Sequence, residues 1–149
     1  LLIFDINHHF KTITLKETKY GTCAVNVVRI ILNDSKNLSE SKITDIWFKE
    51  IQKLTSSKDS INKCCPRKTL TGLILNNQTA IKCEGNFSFQ SKNYDYVQFI
   101  ISNHRQLLQE GNKTHLWSII QGNFEKPPKN QNGQLDVLLA LHKRKLLRL

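Results

Sequence analysis

The chain has 149 residues, enough for one domain that buries roughly two-thirds of its extended surface without metals or cross-links. Hydrophobic residues make up 39% and fall in periodic runs, which excludes wholesale disorder, while no apolar run approaches the ~18 residues of a membrane-spanning helix. Lys and Arg number 22 against 12 Asp and Glu, a formal charge of +10. That balance favours polyanionic partners: nucleic acid first, an anionic membrane surface second, an acidic protein third. The competing reading is a solvated basic surface without a specific partner.

Residues 1–20 alternate loosely around Ile3, Ile13 and Leu15. They are expected to form an N-terminal arm or hairpin, with a short β-strand at residues 12–15. The opening Leu-Leu-Ile-Phe is interrupted too soon, by Asp5 and Asn7, to be a signal-peptide core. A chain that begins with Leu and contains no Met is expected to be a fragment or a processed product.

Residues 21–149 read as a helical domain. Thr22 is expected to cap a first helix whose buried face carries Ala24, Val27, Val28 and Ile31. Ser39 opens a second, with Ile43, Ile46, Trp47, Glu50 and Leu54 on one stripe, and residues 55–60 form a polar connection. Cys65-Pro66 starts a third helix, with the proline at the first helical position and Leu70, Leu73 and Ile74 inward, ended by Asn76-Asn77. Residues 78–90 are irregular, with Phe87 and Phe89 alternating inward. Ser91 caps the longest stripe, Val97, Ile100, Ile101, His104, Leu107 and Leu108, stopped by Gly111. Thr114 caps a helix that buries Leu116, Trp117 and Ile120. After the Pro127-Pro128 loop, a last helix runs from about Asn132-Gly133 to about Leu146. Asp136 lies in its first turn and Lys143, Arg144 and Lys145 in its last, in keeping with the helix dipole. The expected fold is mainly α, an orthogonal bundle of five or six helices with a short N-terminal β arm.

Two basic clusters are candidate phosphate contacts. Lys143, Arg144, Lys145 and Arg148 finish the last helix, and Arg67 and Lys68, with Lys63 nearby, sit at a helix start where unpaired N–H groups also receive anions. A candidate pocket joins Cys65 to Asn132, Gln134 and Asp136. Those three polar groups either tie the Pro-rich loop to the Cys65-Pro66 turn or form the wall of a ligand site. Cys65 at a helix start beside Arg67 is expected to have a lowered thiol pKa, and a Cys–His nucleophilic pair would need His104 or His115 alongside.

Cys23, Cys64, Cys65 and Cys83 lack zinc spacing, adjacent His8-His9 lacks the helical metal-clip spacing, and no metal or nucleotide motif occurs. Neither a metal nor a cofactor is expected. Asn-x-Ser/Thr triplets begin at Asn33, Asn37, Asn77, Asn86 and Asn112, but an Asn-rich chain makes them by chance. Free thiols in the cytoplasm are the expectation. Trp47 and Trp117 read as packing residues rather than base-stacking platforms.

The Gly21-Thr22-Cys23-Ala24 helix start, the run Cys65-Pro66-Arg67-Lys68-Thr69-Leu70-Thr71-Gly72-Leu73, Ser91-Lys92-Asn93-Tyr94 and Leu116-Trp117 form one set. With the run from Asn132-Gly133-Gln134 to Asp136-Val137-Leu138, they resemble a family of small uncharacterised bacterial helical proteins, over about residues 20–145. The resemblance implies a helical domain and carries no activity to any residue. The chain departs from the pattern at Ile74-Leu75-Asn76-Asn77, where a small, acidic, glycine-containing helix end belongs. The leading functional expectation is a noncatalytic basic module on nucleic-acid phosphates, within a larger assembly. A protein-interaction or self-association domain, pairing with an acidic partner or another copy, is the second reading. A small Cys–His enzyme is the third.

Overall fold

A computed structural model describes residues 17–34, 36–84 and 89–149. The expected strand at residues 12–15 and the inward Phe87 lie outside these. Helix α1 (Lys19–Asn33) begins earlier than its pattern suggests. Thr18, not Thr22, is its N-cap, with the hydroxyl accepting from the Gly21 N–H at 3.3 Å, while Thr22 Oγ1 donates back to Glu17. The apolar stripe falls where expected, with Ala24, Val27, Val28 and Ile31 buried. Ser39 caps α2 (Glu40–Leu54) as predicted, through the Lys42 N–H. Its buried face carries Ile43, Trp47, Glu50 and Ile51, and Leu54 is exposed rather than inward. The polar connection contains a helix of its own, α3 (Lys58–Asn62), because Ser57 caps it through the Ser60 N–H.

Helix α4 (Cys64–Leu75) places Pro66 third rather than first. The position is still tolerated, since the first four N–H groups of a helix have no intrahelical acceptor. Helix α5 (Lys92–Asn103) is capped by Ser91 and ends at His104, seven residues before Gly111. A 3₁₀ turn over Arg105–Gln109 then tightens the chain, with Leu107 N–H bonded to His104 O, and sends Leu108 into the core. Helix α6 (Lys113–Asn123) is capped by Asn112, whose Oδ1 accepts from His115 N–H, rather than by Thr114. Helix α7 (Gln134–Lys143) stops three residues short of Leu146.

These elements make a mainly α bundle of six longer helices around α7, which packs against α1, α4, α5 and α6. Leu135, Val137, Leu138 and Leu141 of α7 are fully buried, each worth ~1.5–3 kcal/mol on transfer from water. Helices α4 and α7 lie side by side in the same direction. Their starts touch, since a Cβ on Gly133 would lie 3.0 Å from Pro66. Their ends are joined, and both end alike. Asn77 and Lys145 take left-handed backbones, and the following N–H groups reach back to Leu73 O and Leu141 O, the Schellman arrangement. The chain beyond each end then pairs: Thr79 bridges Leu147, Ala80 N–H bonds Leu146 O, and Arg148 N–H bonds Gln78 O. This bridge is the β structure among the described residues.

Candidate nucleic-acid interface and a neighbouring cleft

The start of α4 is electropositive for three reasons that add. Lys63, the N-cap, offers no side-chain acceptor to the open N–H groups, and no acidic residue occupies the first turn. Lys19 and Lys63 bring their ammonium groups to 5.4 and 5.7 Å from the Tyr20 ring centre. Arg67 lays its guanidinium 5.2 Å from the centre of the Phe48 ring, with its buried Nε lacking a hydrogen-bond acceptor. Among the described residues, Lys19, Lys63, Arg67 and Lys68 form no ion pair with a carboxylate. The helix terminus itself carries a partial positive charge that the basic side chains reinforce rather than offset. Lys19 was missed by the sequence reading, because only the packing of Tyr20 against the α4 start brings it there.

The other expected contacts lie at the opposite end of the α4–α7 pair. Lys143 closes α7, Arg144 is its C-cap, and Lys145 occupies the left-handed turn. Only Lys143 is therefore helical, since the Schellman turn ends the helix before Arg144. Arg144 Nε donates to Glu17 Oε1 at 2.8 Å, and Arg148 donates to Ala80 O at 3.3 Å. With Pro66 seated on Gly133 at the beginning of α7, its ten residues, at ~1.5 Å each, separate the two basic groups by about 15 Å. The six cations are thus two groups, not one cluster.

The polar residues at the start of α7 are committed internally. Gly133, at φ +98°, lets the chain turn tightly between Pro66 and Tyr20. Gln134 is fully buried: its Oε1 accepts from Asn132 N–H at 2.6 Å and its Nε2 donates to Asn93 at 2.9 Å. Gln131, unremarked in the sequence, is the cap, with Oε1 accepting from Gly133 and Leu135 N–H. Asp136 accepts from Lys113 Nζ at 2.6 Å and from Gln131 Nε2 at 3.2 Å. Pro66 meets this turn by packing against Gly133, so the contact between the two segments is steric.

Of the four pocket candidates, Asp136 alone lines the larger cleft, about 700 Å³. That cleft lies between the end of α7, the chain before α1, and the turn leading into α6. A smaller hollow of about 380 Å³ lies beyond Lys113, beside Trp117 and Gln121. Neither is lined by Cys65, Asn132 or Gln134.

The Cys65 thiol is shifted opposite to the expected direction. Burial pushes its pKa up, the neighbouring Cys64 thiol adds to the rise, and Lys63 opposes it only in part. His104 packs on Phe99, with ring centres 5.6 Å apart, and His115 is exposed. Among the described residues, no three His, Cys, Asp or Glu side chains are grouped as metal ligands. Trp47 and Trp117 are both buried, the latter donating from Nε1 to Pro128 O, as packing residues should.

A family of unknown function, DUF6979, matches residues 17–148. No curated protein and no solved structure matches the chain.

Proposed function

We propose, for a chain that belongs to the DUF6979 family of unknown function and is read from its own geometry, a noncatalytic module that binds nucleic-acid phosphates. One observation carries this reading: Lys19, Lys63, Arg67 and Lys68 gather at the uncapped start of α4 with no carboxylate partner among the described residues. Each such cation can replace a phosphate's condensed counterion, so binding draws its free energy from counterion release and reads little sequence. Arg67, with its guanidinium over the Phe48 ring, is held for a phosphate or a base face at low entropic cost. Lys143, Lys145 and Arg148 serve as a second, weaker contact, and Arg144 is already engaged by Glu17.

The test is fluorescence anisotropy with labelled duplex DNA, single-stranded DNA and RNA across a salt series. Saturable binding that weakens steeply with salt is expected. The Lys63→Ala, Arg67→Ala, Lys68→Ala triple variant should weaken it more than Lys143→Ala with Lys145→Ala. Absence of binding at low salt, or binding indifferent to salt, refutes the proposal.

A further inference from the structure

We propose that the cleft between the end of α7 and the Arg105–Gln109 turn binds a small amino-carboxylate, a molecule with one ammonium, one carboxylate and a compact apolar body. Its volume of about 700 Å³ falls in the range, roughly 300–1,000 Å³, of sites that enclose small molecules. Leu108, Leu139 and Ala140 give it an apolar floor. Its lining carries charges of both signs, among them Lys145 just beyond α7 and Glu110 next to Gly111. Among the described residues, neither Lys145 nor Glu110 has a side-chain partner. The inner wall is the Lys113–Asp136 pair, 2.6 Å apart, with the Asp136 side chain 7% exposed. It contributes polar surface without net charge.

Three features point to a ligand of mixed charge. A simple anion drawn to Lys145 meets Glu110 in the same cleft, and a simple cation meets Lys145 and Lys143. Only a molecule carrying both charges satisfies both sides while its body covers the leucines. Lys145 is also held at φ +59°, a backbone that glycine or asparagine adopts at less cost in a Schellman turn. The Schellman turn requires that backbone, and it carries Lys145 to the rim of the cleft. The site is separate from the basic start of α4.

The experiment is a two-dimensional amide NMR titration of the full chain with L-leucine and L-leucyl-L-leucine. The two blocked probes are N-acetyl-L-leucine, without the ammonium, and L-leucinamide, without the carboxylate. Saturable shifts at Gly111, Leu139 and Ala140 are expected from the unblocked probes, with either blocked probe bound roughly tenfold more weakly, as loss of one charge-assisted contact predicts. Lys145→Gly relieves the backbone strain and keeps the fold, and it should abolish the preference for leucine over leucinamide. Glu110→Gln should abolish the preference for leucine over its N-acetyl form. No saturable shift from either unblocked probe at about 10 mM, where even a weak site of millimolar Kd would be filled, overturns the proposal. Equal binding of all probes by the wild-type chain overturns it too.

Discussion

Gly72 looks like a weakness, since a mid-helix glycine costs about 0.5–1 kcal/mol relative to alanine. Its cause is Tyr94. A Cβ at position 72 would sit 2.4 to 2.6 Å from three carbon atoms of that side chain, a distance no relaxation of a buried ring absorbs cheaply. Gly72→Ala is therefore expected to destabilise by about 1–3 kcal/mol through overpacking, measured by urea unfolding. A gain in stability, the usual result in an open helix, would show that the ring moves aside. Tyr94 also makes a prediction about pH. Its hydroxyl donates to Gln78 Oε1 at 2.5 Å, and burial, helped by Asp95, pushes its pKa up to about 12. The unfolded chain releases this proton near pH ~10, so the unfolded state binds fewer protons than the native state between there and about 12. Stability from this group is thus full below pH ~10 and is lost as pH rises through the window. Tyr94→Phe should cost ~0.5–1.5 kcal/mol at neutral pH, and the gap to wild type should close on alkaline titration. A gap that stays constant with pH contradicts the assignment.

At the scale of elements, the existence of each longer helix was legible because burial imposes a 3.6-residue period on the apolar residues. Val97, Ile100 and Ile101 point inward as that period demands. Helix ends were less legible, because a cap depends on which of several polar neighbours reaches the open N–H groups. Thr18 competes with Thr22, and Asn112 with Thr114, and nothing in composition ranks them. The break at His104 was hidden as well, since Leu107 and Leu108 continue the stripe while the backbone has already changed to a 3₁₀ turn. The start of α7 shows the same limit at the candidate pocket. Asn132, Gln134 and Asp136 were visible as polar residues on a greasy helix, but their partners Asn93, Gln131 and Lys113 come from distant or overlooked positions. Two accepted hydrogen bonds make Asp136 an anchor between α6 and α7. Asp136→Ala is expected to cost about 1–3 kcal/mol, because Gln131 and the lysine lose a charged acceptor. Lys113→Met should also cost about 1–3 kcal/mol, since it leaves the Asp136 carboxylate, whose side chain is 7% exposed, with only the Gln131 hydrogen bond. Chemical denaturation of the two single variants and the double measures the coupling. An unchanged midpoint for Asp136→Ala would mean that the pair is not what joins these helices.

For the whole molecule, the sequence supplies the amount of charge and the fold supplies its arrangement. A total of +10 gives no hint that Arg67 and Lys68 end up at one end of the α4–α7 pair and Lys143 to Arg148 at the other. The separation follows from two parallel helices with joined starts and joined ends, a relation invisible to any local pattern. It also turns the proposed function into a quantitative statement. If Lys19, Lys63, Arg67 and Lys68 each neutralise one phosphate, log K against log salt should fall with a slope of about −3.6 on duplex DNA and about −2.8 on a single strand. Removing any one of these side chains should flatten the duplex slope by about 0.9. Lys143→Ala and Lys145→Ala should leave it nearly unchanged if the start of α4 acts alone. Should they flatten it by the same increment, both ends of the helix pair lie on the nucleic acid together. The bound nucleic acid must then span the roughly 15 Å of α7, about four to five base pairs of duplex. A slope near zero would instead reduce the excess of lysine to a property of the solvated surface, and the cleft beside Lys145 would remain as the feature with a chemical selectivity to explain.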